Sequence, residues 1–129
     1  MTALVWTGVA LLGGVGAVCR FLVDRAVSTR APAGFPYGTL AVNLSGALLL
    51  GVLSGVALPA HIALVVGTGF VGSYTTFSTW MLETQRLGEE RQIWPAVANI
   101  VVSMVLGLAA AGLGVFLGVF LGVFLGGRL

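Results

Sequence analysis

The chain has 129 residues, 58% hydrophobic and 8% charged, whereas a soluble domain carries about a quarter charged residues. Six arginines and four acids give a net charge of +2 and are too few to cover a water-soluble domain of this size. They are scattered and form no stripe, which argues against a nucleic-acid partner and leaves the lipid bilayer as the covering phase.

A bilayer core about 30 Å thick takes about 20 apolar residues of helix, and uncharged runs of that length predict spans at about 3–23, 36–58, 62–82 and 95–117. The expectation is an all-α membrane protein, a single domain of four transmembrane helices. The first run is interrupted only by Arg20 and ends in a loop carrying Asp24, Arg25 and Arg30. Its opening lacks the basic region of a cleaved signal, so the run is expected to stay in the mature protein. Its lone Cys19 fits a small packed hydrophobe.

The second run opens at Pro36, suited to a first helical turn, and ends at Pro59 and His61. His61 has no acid or nucleophile beside it in sequence, so no catalytic constellation is expected and the protein is not read as an enzyme. The fourth run opens at Trp94-Pro95 and stays uncharged to Gly127, which as one helix would be about 50 Å long. Within 114–127 the tetrapeptide Gly-Val-Phe-Leu repeats, setting Gly114, Gly118, Gly122 and Gly126 at GxxxG spacing. That pattern fits either a stripe another helix can approach closely or a low-complexity, lipid-exposed tail.

The third run is the most unusual. Gly67, Gly69 and Gly72 fall within six residues, and Ser73, Thr75, Thr76, Ser78 and Thr79 put five hydroxyls in the next seven positions. Glycine weakens helix, and hydroxyls offer partners to freed backbone groups, so a mid-membrane break is plausible. Carbonyls exposed there would suit a hard cation. A continuous helix with its hydroxyls bonded back four residues is the competing reading. Phe77 and Trp80 share a face on resumed helix, either for packing or as ring edges against an anion.

Asn43 in the second run, and Asn99 and Ser103 on one face of the fourth, are costly in lipid and are expected to face the bundle interior. There they serve interhelical hydrogen bonds or, for an asparagine amide, transient anion contact by a neutral donor. Arg20 either snorkels or anchors backbone carbonyls. None of the four acids lies deep in a run, which weakens a proton-coupled multidrug-type transporter, the first alternative to a channel. A purely structural or assembly protein is the second. Four spans leave little interior for a cavity, so a transport site is expected between subunits.

Three fragments carry a resemblance: Gly13-Gly-Val-Gly-Ala-Val-Cys-Arg20-Phe, Pro36-Tyr-Gly-Thr-Leu-Ala-Val-Asn43-Leu-Ser-Gly46 and Gly69-Phe-Val-Gly72-Ser-Tyr-Thr-Thr-Phe77-Ser-Thr. Together they resemble the CrcB/Fluc fluoride channel family, with only the repeat tail unmatched. The resemblance implies a passive fluoride channel that lowers cytoplasmic fluoride, in the cell membrane of a microbe. It implies an antiparallel dimer with pores along the subunit interface. It also implies a central structural sodium ion (Na+) on backbone carbonyls where the third helix breaks, here those of Gly72 and Thr75. Asn43 and Phe77 match pore-lining positions, with Thr76, Thr79, Asn99 and Ser103 along the polar track and Arg20 in a structural place. Trp80 stands where the family usually has a second phenylalanine, and Gly107 offers no hydroxyl one turn past Ser103.

Orientation is a second departure. Arg25, Arg30, Arg86 and Arg91 fall in the loops on one side against Arg128 on the other, which favours both termini outside. The resemblance therefore leaves two assemblies, an antiparallel homodimer, placed first, and a heterodimer with a paralogous, oppositely inserted subunit.

Overall fold

The computed structural model describes residues 2–126; Met1, Gly127, Arg128 and Leu129, and with them the far end of the repeat and one arginine of the orientation argument, lie outside the described residues. The described residues are helix and loop without a strand. The helices are α1 (Thr2–Ser28), α2 (Tyr37–Val56), α3 (Ala60–Ala63), α4 (Gly72–Tyr74), α5 (Ser78–Glu89) and α6 (Ile93–Gly126). Three of them, α1, α2 and α6, are long and apolar enough to cross a membrane. In place of one long helix at 62–82 stand α3, a π-helical segment Leu64–Val71, α4 and the start of α5.

Local chemistry accounts for the boundaries. Helix α2 starts directly after Pro36, whose missing N–H would have been unpaired there, and stops at Ala57 in the left-handed region (φ 58°) ahead of Pro59. The loop between α1 and α2 turns at Gly34, whose φ of 106° suits a residue without a Cβ. The π-helical segment carries Gly67 and Gly69, and the Gly72 N–H reaches back to the carbonyl of Gly67, five residues earlier. It packs on α1 at van der Waals range: a Cβ on Gly16 would collide with the carbonyl of Phe70, and one on Gly69 would lie 3.1 Å from the Val9 backbone. The glycine-rich fragment of α1 thus serves close backbone approach.

The most extensive helix pairing joins α2 to α6. Its seam is glycine on glycine. Gly51 and Gly55 of α2 face Gly114 and Gly118 of α6, and a Cβ on Gly114 or Gly118 would run into the carbonyl of Leu48 or Val52. Helices without side chains at the crossing come near enough for backbone dispersion contacts, a main source of association where lipid tails are as apolar as leucine. Both Gly114 and Gly118 are buried, so the first half of the repeat is a packing stripe, while Phe116, Phe120 and Phe124 on other faces are exposed.

These contacts predict opposite outcomes for glycines a few residues apart. Gly118→Val should lower the thermal stability of the purified protein by about 1–3 kcal/mol, the usual scale of overpacking. Gly112→Ala, where a Cβ meets nothing within 4 Å, should leave it unchanged or raised by up to about 1 kcal/mol through helix propensity. Thermal denaturation in detergent checks both.

Candidate functional site

Helical geometry lapses between α4 and α5. Thr75 is extended (φ −79°, ψ 158°), which turns its carbonyl out of the helical ladder. Backbone groups freed this way need partners wherever water is scarce. Asn43 provides two: its Nδ2 donates to the Thr76 carbonyl at 2.8 Å, and its Oδ1 accepts from the Thr76 N–H at 2.9 Å. One amide therefore satisfies both polar groups of one residue, leaving one Nδ2 proton uncommitted. Arg20 reaches from α1 with Nη1 at 3.5 Å from the Thr75 carbonyl. The Thr75 hydroxyl bonds back to Val71, and the Thr76 hydroxyl accepts the Thr79 N–H at 3.2 Å, capping the start of α5.

Helix α2 presents Asn43, Gly46, Ala47 and Leu50 on one stripe toward the lapse, at spacings of three and four. A Cβ on Gly46 would strike the Thr75 side chain, so a small residue is required there for α2 to lie against it. Beside this stripe is an open cavity of about 330 Å³ whose wall includes Asn43, Thr75, Thr76, Phe77, Trp80 and Ser103. Phe77 is 69% exposed, and its ring stands nearly perpendicular to that of Trp80, centroids 5.8 Å apart. The Ser103 hydroxyl is buried with no hydrogen-bond partner among the described residues. An unmatched buried hydroxyl is costly and is a ready partner for a polar guest.

A second cavity, about 160 Å³, lies between α1, α2 and α5 and is lined by Arg20, Asp24, Thr39, Thr76 and Thr79 among others. Thr76 belongs to both walls. The structure thus gathers Asn43, Thr76, Phe77, Trp80 and Ser103 on one cavity, and Arg20 and Thr79 on the other. Asn99 is on neither wall: it is 1% exposed, behind Trp80. Its Nδ2 donates to the Thr84 hydroxyl at 2.9 Å, and the Trp80 indole N–H donates to the Asn99 carbonyl at 3.0 Å. The larger ring at position 80 therefore brings its own donor, and α6 takes it up.

For the sodium expectation, the donor chemistry fits in kind. Gly72 is exposed and Thr75 part-buried, and both carbonyls are neutral oxygens of the sort a hard monovalent cation takes. Among the described residues no group of three or more His, Cys, Asp or Glu gathers for a metal ion. The Arg20 guanidinium shares the Thr75 oxygen, so one of its lone pairs is already engaged.

Glu83 is the residue that sequence reasoning passed over. It lies one position beyond the expected 62–82 span, yet α5 continues through it and brings it against α2, where the Thr39 hydroxyl donates to its carboxylate. Burial raises its pKa above the ordinary 4.5, against the Thr39 bond, with Asp24 adding to the rise and Arg86 opposing it. The available signal was spacing: Glu83 is three residues after Trp80, one turn along a helix already singled out.

Residues 7–115 match the family described as "CrcB-like protein, Camphor Resistance (CrcB)". The chain is similar to "Fluoride-specific ion channel FluC 2" of Mycobacterium tuberculosis strain H37Rv, 68% identical over 114 residues that cover 88% of this chain and 90% of the relative. It is also similar to "Fluoride-specific ion channel FluC 1" of Leifsonia xyli subsp. xyli, 46% identical over 120 residues (90% of this chain, 88% of the relative). A third relative, "Fluoride-specific ion channel FluC" of Syntrophotalea carbinolica, is 44% identical over 113 residues, 84% of this chain and 92% of the relative. The apolar helices and this kinship define a multi-pass membrane protein. The chain belongs to the CrcB family.

The Glu83 environment has a measurable consequence. A raised pKa means that the folded state holds the proton more tightly than the unfolded chain, so stability falls as pH rises from about 4.5 through the folded value. Glu83→Gln does not titrate, and its unfolding midpoint should fall less than the parent's across that window. Parallel pH–stability curves for the two proteins would refute the burial argument.

Proposed function

We propose that the chain is one subunit of a fluoride-selective ion channel, not an enzyme, conducting fluoride passively out of the cell and so lowering cytoplasmic fluoride. The observation that carries this is the convergence of Asn43, Phe77 and the unpartnered Ser103 hydroxyl on one open cavity, in a chain 68% identical to a relative named fluoride-specific. These groups are neutral. An amide N–H, a hydroxyl and an aromatic edge each offer an anion partial positive charge without the trapping strength of a full cation. Trp80 and Thr76 are also on the wall, and Thr79 and Arg20 line the second cavity, which shares Thr76 with the first.

The cavity opens on the outside of a single chain, as expected of a path completed by a second subunit. We read the assembly as an antiparallel dimer in the cell membrane of a microbe, each chain a single domain crossing four times with the lapse at Thr75–Phe77 at mid-depth. A homodimer is preferred. Pairing with a paralogous subunit is the alternative, and the numbered names FluC 1 and FluC 2 among the relatives favour keeping it. The carbonyls of Gly72 and Thr75 from both chains would hold a structural sodium ion. Its chemistry would be electrostatic, a fixed positive charge beside the anion path and a bridge between subunits.

Purified protein in liposomes separates the readings. Fluoride efflux that follows the electrical gradient with no pH gradient is the expected result. Efflux that requires a proton gradient favours a proton-coupled transporter. Absence of fluoride flux favours a structural or assembly role. Phe77→Ile should cut flux at least about tenfold, on the scale of a lost transition-state contact, with dimer elution unchanged. Asn43→Asp should do the same, because it sets a carboxylate in the anion's path and a second oxygen against the Thr76 carbonyl. Unchanged flux in both would remove the pore assignment.

Exchanging sodium for a large organic cation should lower the dimer's thermal midpoint. A midpoint and flux indifferent to that exchange would count against the ion.

A further inference from the structure

We infer that Asn99 is a positioning residue that acts through Trp80 on Phe77 and does not itself meet the anion; this rests on the channel reading above. Three residues close a ring of hydrogen bonds between α5 and α6. The Trp80 indole N–H donates to the main-chain carbonyl of Asn99 at 3.0 Å, the Asn99 side-chain amide donates to the Thr84 hydroxyl at 2.9 Å, and that hydroxyl donates to the main-chain carbonyl of Trp80 at 2.9 Å, so the amide fixes where the indole's acceptor lies. A longer bond, 3.4 Å, runs from the Asn99 amide to the same Trp80 carbonyl. Every polar atom of the Asn99 amide nitrogen's surroundings thus belongs to α5, and with 1% exposure the residue has no face left for a permeating ion.

What the ring of bonds holds is the plane of the indole. A tryptophan side chain has two rotatable bonds, and anchoring its far edge to a carbonyl on another helix fixes both. Phe77 is the aromatic neighbour of that indole. At 69% exposure Phe77 has little packing to orient it, and its ring meets the indole at 83° with centroids 5.8 Å apart. Perpendicular aromatic pairs are favoured because the positive edge of one ring meets the negative face of the other. The direction in which Phe77 presents its own edge is therefore set by an indole whose orientation α6 dictates. A phenylalanine at position 80 lacks the N–H and could not be tied to Asn99 in this way.

The test uses full-length protein in liposomes, in a Trp6→Phe/Trp94→Phe parent so that Trp80 is the sole indole; both replaced residues lie outside the two cavities. Asn99→Ala and Thr84→Val should each lower fluoride flux per folded dimer about threefold to tenfold, the factor equivalent to one aromatic pair contact. Each should also shift Trp80 emission, because the main-chain carbonyl that receives the indole N–H is held in place by the Asn99 amide and the Thr84 hydroxyl. The double variant should be no worse than the weaker single, because both break the same ring of bonds. In the otherwise unaltered chain, Trp80→Phe should reduce flux comparably, and adding Asn99→Ala to it should cost nothing more.

Several outcomes overturn the inference. Thr84→Val with normal flux and emission does so, as does a further loss from Asn99→Ala in the Trp80→Phe chain, which would put Asn99 in direct contact with the ion. Lowered melting temperature with unaltered flux per folded dimer does so too, since that marks a structural role alone. If Asn99→Ala fails to fold, Thr84→Val and Trp80→Phe decide the matter. A parent that conducts no fluoride overturns the channel reading and this inference with it, whereas a conducting parent with indifferent variants overturns the clamp alone.

Discussion

Everything near the cavity depends on the two hydrogen bonds between the Asn43 amide and the backbone of Thr76. When a helix gives up its ladder, the freed N–H and C=O groups each carry a desolvation cost of the order of 1–3 kcal/mol if left unmatched in a dry setting. An amide side chain is the one uncharged group that offers a donor and an acceptor at the spacing of a peptide, so it can stand in for a neighbouring strand. With Thr76 satisfied, Thr75 can remain extended, and the chain can re-enter helix at Ser78 with the Thr76 hydroxyl as cap. Removing the amide would leave that geometry without its support.

The surrounding residues follow from this constraint. Gly46 admits Thr75 against α2, and the glycine seam between α2 and α6 holds Ser103 on the far side of the same cavity. Arg20 takes the Thr75 carbonyl, which Asn43 does not reach. Its guanidinium is thereby partly spent on the protein's own backbone. The site is accordingly a set of weak donors around a single structurally committed cation side chain.

Much of this was legible in the residues. An asparagine inside an apolar run and a dense cluster of glycines and hydroxyls both stand out because lipid tolerates neither without a reason. The partner of Asn43 was not legible, since Thr76 is 33 residues away and only the crossing of α2 over the lapse brings them together. Periodicity also could not anticipate the π-helical turns at Leu64–Val71: they differ from α-helix in which carbonyl each N–H reaches, five residues back instead of four, and the order of apolar residues does not register that choice. The repeat left two readings open for a similar reason. GxxxG spacing marks a stripe, but only the matching Gly51 and Gly55 of α2 make that stripe a seam.

Trp80 shows where the two levels meet. From sequence it is a departure, a larger ring with an added N–H, open to two readings: a narrowed pore or a replacement for the aromatic contact. The structure sends the donor away from the cavity to the Asn99 carbonyl, so the substitution adds bulk to the wall and rigidity to the ring while adding no polar group to the path. On the proposed role of Phe77, a stiffer wall would lower the reorganisation needed to meet a small ion and raise the cost of yielding to a large one. In a path built from neutral donors, discrimination by size would depend on how firmly the wall is held, and here the indole is held by Asn99, a residue of α6 that stands off the cavity wall lined by Ser103.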